Sequence, residues 1–113
     1  MRAFHHIGLP TNEKQAGEEF VAETRVWVTS PLVHRYRVEY LRFEPDSPVT
    51  GPVRELPHIA YRVDDLNAAY AGEKVLLGPF NPTPRLRVVF IEKDGAVIEF
   101  MEFESDSDLP WKG

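Results

Sequence analysis

The feature that most constrains this chain is a strand-like segment that occurs twice. Val38-Glu39-Tyr40-Leu41-Arg42-Phe43-Glu44 is matched place by place by Ile98-Glu99-Phe100-Met101-Glu102-Phe103-Glu104. The shared pattern is β-branched aliphatic, Glu, aromatic, flexible aliphatic, charged, Phe, Glu. Upstream of each lies a second matched pair, His6-Ile7-Gly8-Leu9 and His58-Ile59-Ala60-Tyr61. The order His, Glu, His, Glu thus describes two copies of a unit of about fifty residues, and such units fold alike and stack on each other.

Alternation along a strand gives the repeat its chemical content, since successive side chains point to opposite faces. Glu99, Met101 and Phe103 share one face, as do Glu39, Leu41 and Phe43. His6 shares a face with Gly8, and His58 with Ala60, so each imidazole has a small neighbour that leaves room above it. The other faces carry Ile7 and Leu9, or Ile59, Tyr61 and Val63, which suit packing against a helix. Two imidazoles and two carboxylates can then meet in one cavity. Taken singly, each is readable as an ordinary paired core residue. Buried carboxylates without compensation are costly, however, and here that cost is duplicated at equivalent places. A metal ion is the simplest compensation.

Phe4 to Leu9 reads as a strand ended by Pro10. Asn12 is expected to cap a helix of about ten residues, with Gln15 completing a capping box and Phe20 and Val21 facing inward. Arg25 to Thr29 is a strand broken at Ser30-Pro31, and Leu32 to Tyr36 is a short strand or a loop. Arg37 to Glu44 is the first Glu strand. Prolines 45, 48, 52 and 57 with Gly51 mark a linker between the units. In the second unit, His58 to Val63 is a strand. Asp64 or Asp65 caps a short helix through Leu66, Ala69 and Tyr70 that stops at Gly72. Val75 to Leu77 is a strand, and Gly78 to Pro84 a loop at the rim of the cavity. Arg87 to Glu92 and Ala96 to Glu104 form a hairpin about Asp94-Gly95, a type I′ turn signal. That register sets Phe90 opposite Glu99 and pairs Arg87 with Glu102 on the outer face. The first unit is the shorter, so its third strand is expected to be vestigial. The tail from Ser105 is polar and expected to fray, with Trp111 as a candidate anchor. Residues 1–113 then make a single domain: module one about 1–44, linker 45–57, module two 58–104, tail 105–113.

At 113 residues the chain can bury a real core. The net charge of −5 argues against nucleic acid, which calls for a basic face. Arg35, Arg37 and Arg42, with Arg85 and Arg87, read as solvated strand edges. No apolar run reaches membrane-span length. No signal peptide is visible at Met1-Arg2-Ala3-Phe4, and cysteine is absent, which fits a cytoplasmic protein.

These segments resemble the vicinal oxygen chelate superfamily, which includes glyoxalase I, methylmalonyl-CoA epimerase, extradiol dioxygenases and the fosfomycin- and bleomycin-resistance proteins. The resemblance spans about residues 4–104. It rests on "HHIGLP", "PHIAYRVDDLNAAY" and "RVVFIEKDGAVIEFMEF". It implies an α+β fold in which two paired βαβββ-type modules, the first shortened, form a curved mixed sheet around a metal cavity. It further implies that His6, Glu39, His58 and Glu99 hold the metal, with His5 a rival for the first place. Two imidazoles and two carboxylates suit one divalent ion such as Zn, Ni, Co, Mn or Fe.

The function so indicated is a metal-dependent lyase, isomerase or epimerase of glyoxalase type. It would act on a small substrate with neighbouring oxygens by metal-assisted proton transfer. Glu99 is the preferred catalytic base and Glu39 the alternative, because Phe90 desolvates Glu99 whereas Glu39 beside Arg37 is expected to be better solvated. A non-catalytic drug-binding or resistance protein is the alternative, its cleft lined by Trp27, Tyr36 and Phe90. An extradiol dioxygenase is the third reading, disfavoured by a fourth protein ligand. The expected partners are a small-molecule substrate and a second copy of the chain in a homodimer, with neither nucleic acid nor membrane.

Overall fold

A computed structural model describes residues 2–112; Met1 and Gly113, at the ends of the predicted leaderless start and frayed tail, lie outside the described residues. The chain forms β1 (Arg2–Pro10), β2 (Glu19–Val21), β3 (Val26–Val28) and β4 (Val38–Phe43) in its first half. After α1 (Pro52–Glu55) come β5 (His58–Val63), α2 (Leu66–Tyr70), β6 (Lys74–Thr83), β7 (Leu86–Lys93) and β8 (Ala96–Glu102). All eight strands join one mixed sheet in the order β2-β3-β4-β1-β5-β8-β7-β6. The order is symmetric about the β1–β5 junction. β1 runs parallel to β4 and β5 parallel to β8, while β1 and β5 are antiparallel. The repeat read from the sequence is therefore the repeat of the sheet.

One face of the sheet carries the larger core, built from Val26, Val28, Leu41, Val88, Phe90 and Met101 among others. The opposite face of the second half packs Val63, Val89, Ile91 and Phe100 against Leu66 of α2, with Ala69 and Tyr70 alongside. Helix α2 forms where the sequence indicates: Asp65 is its N-cap, its side chain accepting from the Ala68 N–H at 3.2 Å. The β7–β8 hairpin also has the predicted register, Phe90 opposite Glu99 and Arg87 opposite Glu102, with Asp94 and Gly95 both at positive φ. Arg87 and Glu102 do not pair as expected. Arg87 donates to Asn67 and Glu102 accepts from the Leu66 N–H, so each serves helix α2 instead.

Four local expectations are corrected. The helix after Asn12 does not form. Gly17 interrupts it at φ 76°, and its only bulky apolar residues, Phe20 and Val21, are adjacent rather than a helical turn apart. Thr11 rather than Asn12 receives the nearby backbone N–H, from Glu13. Glu19 to Val21 becomes the missing strand, with Val21 buried and Phe20 turned outward onto Trp27. The first module thus lacks its helix, not its third strand, and Leu32 to Tyr36 holds only a single 3-10 turn at Pro31–Val33 and a loop. Residues 78–83 continue β6 through register shifts instead of looping out, and Leu77, Phe80 and Pro82 do border the cavity. The linker is more than a spacer, because Val49 and Val53 are buried in the main core. Finally, the tail is docked. Ser105 and Asp108 close a capping box, the Thr83 hydroxyl bonds the Asp108 carbonyl, and Leu109 and Trp111 are buried.

Candidate metal centre

The site lies across the β1–β5 junction and follows from strand register. Glu39 on β4 is opposite Gly8, and Glu99 on β8 is opposite Ala60. Across the junction, His6 is opposite Ala60 and His58 opposite Gly8. Four large polar side chains thus surround two small residues, Gly8 and Ala60. The space above Gly8 is taken by His58: a Cβ on Gly8 would lie 2.0 Å from the imidazole Cε1. Phe90 meets the same ring edge-on, with centroids 5.2 Å apart.

All four predicted residues converge. Glu39 Oε1 is 3.2 Å from His6 Nε2 and 3.7 Å from His58 Nε2. Glu99 Oε1 is 3.5 Å and 3.2 Å from the same two nitrogens. A donor atom from each of His6, Glu39 and His58 lies within 4.8 Å of the other two, and Glu99 faces both imidazoles. Ligands about 2.0–2.2 Å from a shared zinc ion stand roughly 3–4 Å apart, so the His–Glu spacings suit an ion between them. The hydrogen-bond inventory agrees. Among the described residues, His6 Nε2 and both ring nitrogens of His58 are buried side-chain atoms without a hydrogen-bond partner, and the two Nε2 atoms are the ones that face the carboxylates. Such atoms carry a desolvation cost that an ion would remove. The residues present fit a metal.

Charge is arranged to match. Burial alone would lower the pKa of His6, but Glu39 and Glu99 overcome it and raise it to about 9. Burial would raise that of Glu99, yet the imidazoles of His58 and His6 pull it down to about 2. The two carboxylates are buried alike, at 5% and 7% exposure, so the expected contrast in solvation is not seen. Their difference lies elsewhere: Trp111 donates its indole N–H to Glu39 Oε2 at 3.1 Å.

Two contributors stand outside the ligand set read from the sequence, where His5 appears only as a rival to His6 and Trp111 only as an anchor of the tail. A register shift between Phe4 and His6 lets both His5 and His6 face the core, which strict alternation forbids. His5 Nδ1 is 2.7 Å from His6 Nδ1, and burial, His6 and Arg37 lower its pKa to about 4. A neutral His5 therefore accepts from His6 Nδ1–H, fixing the tautomer that leaves His6 Nε2 to face the carboxylates. The His5 ring stacks on Trp111 at 5.9 Å and meets Phe103 edge-on. The signals available in the sequence were the His-His pair itself and a Trp standing in a polar tail. Of the residues proposed to line a drug cleft, Phe90 borders the cavity, with Phe43, Phe80 and Trp111. Trp27 lies outside it, bonded to Glu44, and Tyr36 is exposed.

The chain shares its fold with two solved structures, and its buried His-Glu-His group could hold a metal. The hypothetical protein BH1468 from Bacillus halodurans C-125 superposes with a TM-score of 0.68 at 18% identity, over 93% of this chain and 96% of that one. Methylmalonyl-CoA epimerase from Mycobacterium tuberculosis superposes with a TM-score of 0.55 at 16% identity. That match covers 93% of this chain and 90% of the epimerase. The sequence matches no protein-family profile and no curated protein. No helix among the described residues is long and apolar enough to cross a membrane.

Proposed function

We propose that this chain is a metal-dependent lyase, isomerase or epimerase that moves a proton on a small substrate bearing neighbouring oxygens. The observation that carries the reading is the convergence of two orphaned imidazole nitrogens and two carboxylate oxygens at 3.2–3.7 Å. His6, Glu39, His58 and Glu99 would hold the ion. A divalent ion there would act as a Lewis acid, stabilising negative charge on a substrate oxygen. His5 fixes the orientation of His6, and Trp111 fixes Glu39. Glu99 is then the carboxylate free to exchange a proton with the carbon next to that oxygen, and its likeness in burial to Glu39 leaves Trp111 as the feature that separates their roles. Phe90 and Val88 keep water from the reacting carbon.

The test is deuterium wash-in. Metal-loaded protein incubated with 2-oxo aldehydes and hydroxy acids in D₂O should exchange the hydrogen on the carbon next to the carbonyl. Glu99→Gln should abolish exchange while metal remains bound. Tight binding with no exchange for any candidate would favour the non-catalytic binding protein, which the apolar cavity wall of Phe43, Phe80 and Phe90 also suits. The extradiol reading is weaker, since such a centre has a single carboxylate and this one presents two.

A further inference from the structure

We infer that the substrate of this site carries a short, uncharged apolar substituent beyond its chelating oxygens, and that acyl-coenzyme A and compounds with a carboxylate away from the chelating head are poor ligands. The inference rests on the functional reading above and adds the chemistry of the part of the substrate that does not touch the metal.

Three observations carry it. First, beyond the metal-facing residues, the cavity wall is apolar. Val26 and Val28 come from one side of the sheet, Leu77, Phe80, Val88 and Phe90 from the other, and Thr24 is the one uncharged polar side chain. Among the described residues no Lys or Arg lines it. Second, the guanidinium groups of Arg37, Arg42, Arg54 and Arg62 are committed elsewhere, and Arg85 borders a separate cleft with Arg62 and Asp64. Arg37 donates to the His5 carbonyl, Arg42 pairs with Glu18, Arg54 donates to the carbonyls of Glu44 and Val49, and Arg62 to those of Phe103 and Glu104. A carboxylate or phosphate entering the cavity would lose its water and gain no counter-charge, which is strongly unfavourable. Third, the site's own charge is balanced. Two carboxylates offset a divalent ion and leave no excess positive charge to draw in an anion. The room available is also small, about 60 Å³, where one water needs about 10–15 Å³. It takes a substituent of a few carbon atoms.

Hydroxamic acids present two neighbouring oxygens, and calorimetry reads their binding without any turnover, so they separate recognition from catalysis. The experiment measures binding of 4-methylpentanohydroxamic acid and succinic monohydroxamic acid by titration calorimetry, with the metal-loaded and the metal-free chain. The two share a chelating head, and a carboxylate replaces an isopropyl group at the far end. The inference expects the uncharged compound to bind at least tenfold more tightly to the loaded chain. Leu77→Lys, at a half-buried place on the wall, should narrow or reverse that ratio. Metal dependence of both affinities tests the functional reading, and the ratio between them tests the inference. Affinities unchanged by removal of the metal would sink the metal reading, while a tenfold preference between the two compounds would leave the inference standing. Equal or tighter binding of succinic monohydroxamic acid by the loaded chain would overturn the inference alone. Failure of the uncharged compound to bind in either state would overturn it as well.

Discussion

Replacing Gly8 by Ala should damage the site through a single methyl group. Gly8 lies opposite His58 across the β1–β5 pairing, and an added Cβ would stand 2.0 Å from the imidazole Cε1, 2.4 Å from Nε2 and 2.5 Å from Nδ1. Backbone strain plays no part, because Gly8 is not among the residues at positive φ. The imidazole itself must move, and it is 2% exposed and braced by Phe90. Overpacking of this kind costs about 1–3 kcal/mol, with about 0.5–1.5 kcal/mol more if the ring is forced off its rotamer. In a chain of this size each kcal/mol lowers Tm by roughly 4–8 °C. Metal affinity should fall too, since the displaced atom is a donor. The assay is a double-mutant cycle in thermal unfolding with Gly8→Ala, His58→Ala and the pair. The steric argument requires the Gly8→Ala cost to shrink to a few tenths of a kcal/mol once His58 is Ala. An undiminished cost in the double variant would refute it.

Trp111→Phe removes the N–H donated to Glu39 while keeping a ring against His5; it should cost about 1.5–3 kcal/mol, the range for a hydrogen bond to a charged group, and urea unfolding reads it. The pH dependence of the metal-free chain follows from three shifts, of His6, Glu99 and His5. His6, raised to about 9, adds stability that is full below about 6.5 and is lost as pH rises through 9. Glu99, lowered to about 2, adds stability present above 4.5 and lost as pH falls towards 2. His5, lowered to about 4, adds stability present above 6.5 and lost as pH falls through 4. Metal-free stability in chemical denaturation should therefore be greatest near pH 6.5, and metal affinity should climb with pH up to about 9 as the proton on His6 gives way. We further propose a homodimer through the outer face of the first half, which has no helix over it. Phe4 there is 50% exposed against Tyr61, so Phe4→Glu should shift sedimentation from dimer to monomer, and a monomeric wild type would count against the pairing.

What the sequence made legible is what depends on local pattern. Alternation placed His6, Glu39, His58 and Glu99 on one face, Asp94-Gly95 set the β7–β8 register, and the pair Asp64-Asp65 marked the start of α2, with the structure selecting Asp65 as the cap. The errors arise where partners distant in sequence decide. Whether residues 19–21 are helix or strand depends on β3 offering an edge, which Glu18 helps secure by its two hydrogen bonds to Arg42. The inward turn of both His5 and His6 depends on a register shift against β5, invisible to a period-two reading. Burial of Trp111 depends on a gap between His5 and Glu39 that exists only once the sheet has formed. The same gap explains why Glu39 and Glu99, equivalent in the repeat, differ in their partners.

The central claim is that His6, Glu39, His58 and Glu99 hold one divalent ion, and metal stoichiometry tests it most directly. The purified chain, loaded with zinc, nickel or cobalt and freed of excess by gel filtration, should retain one ion per chain by elemental analysis. His6→Ala and His58→Ala should each retain little, and Glu39→Gln and Glu99→Gln should bind more weakly. Stoichiometric metal retained in both His variants, or none in the wild type at pH 8, would contradict the account.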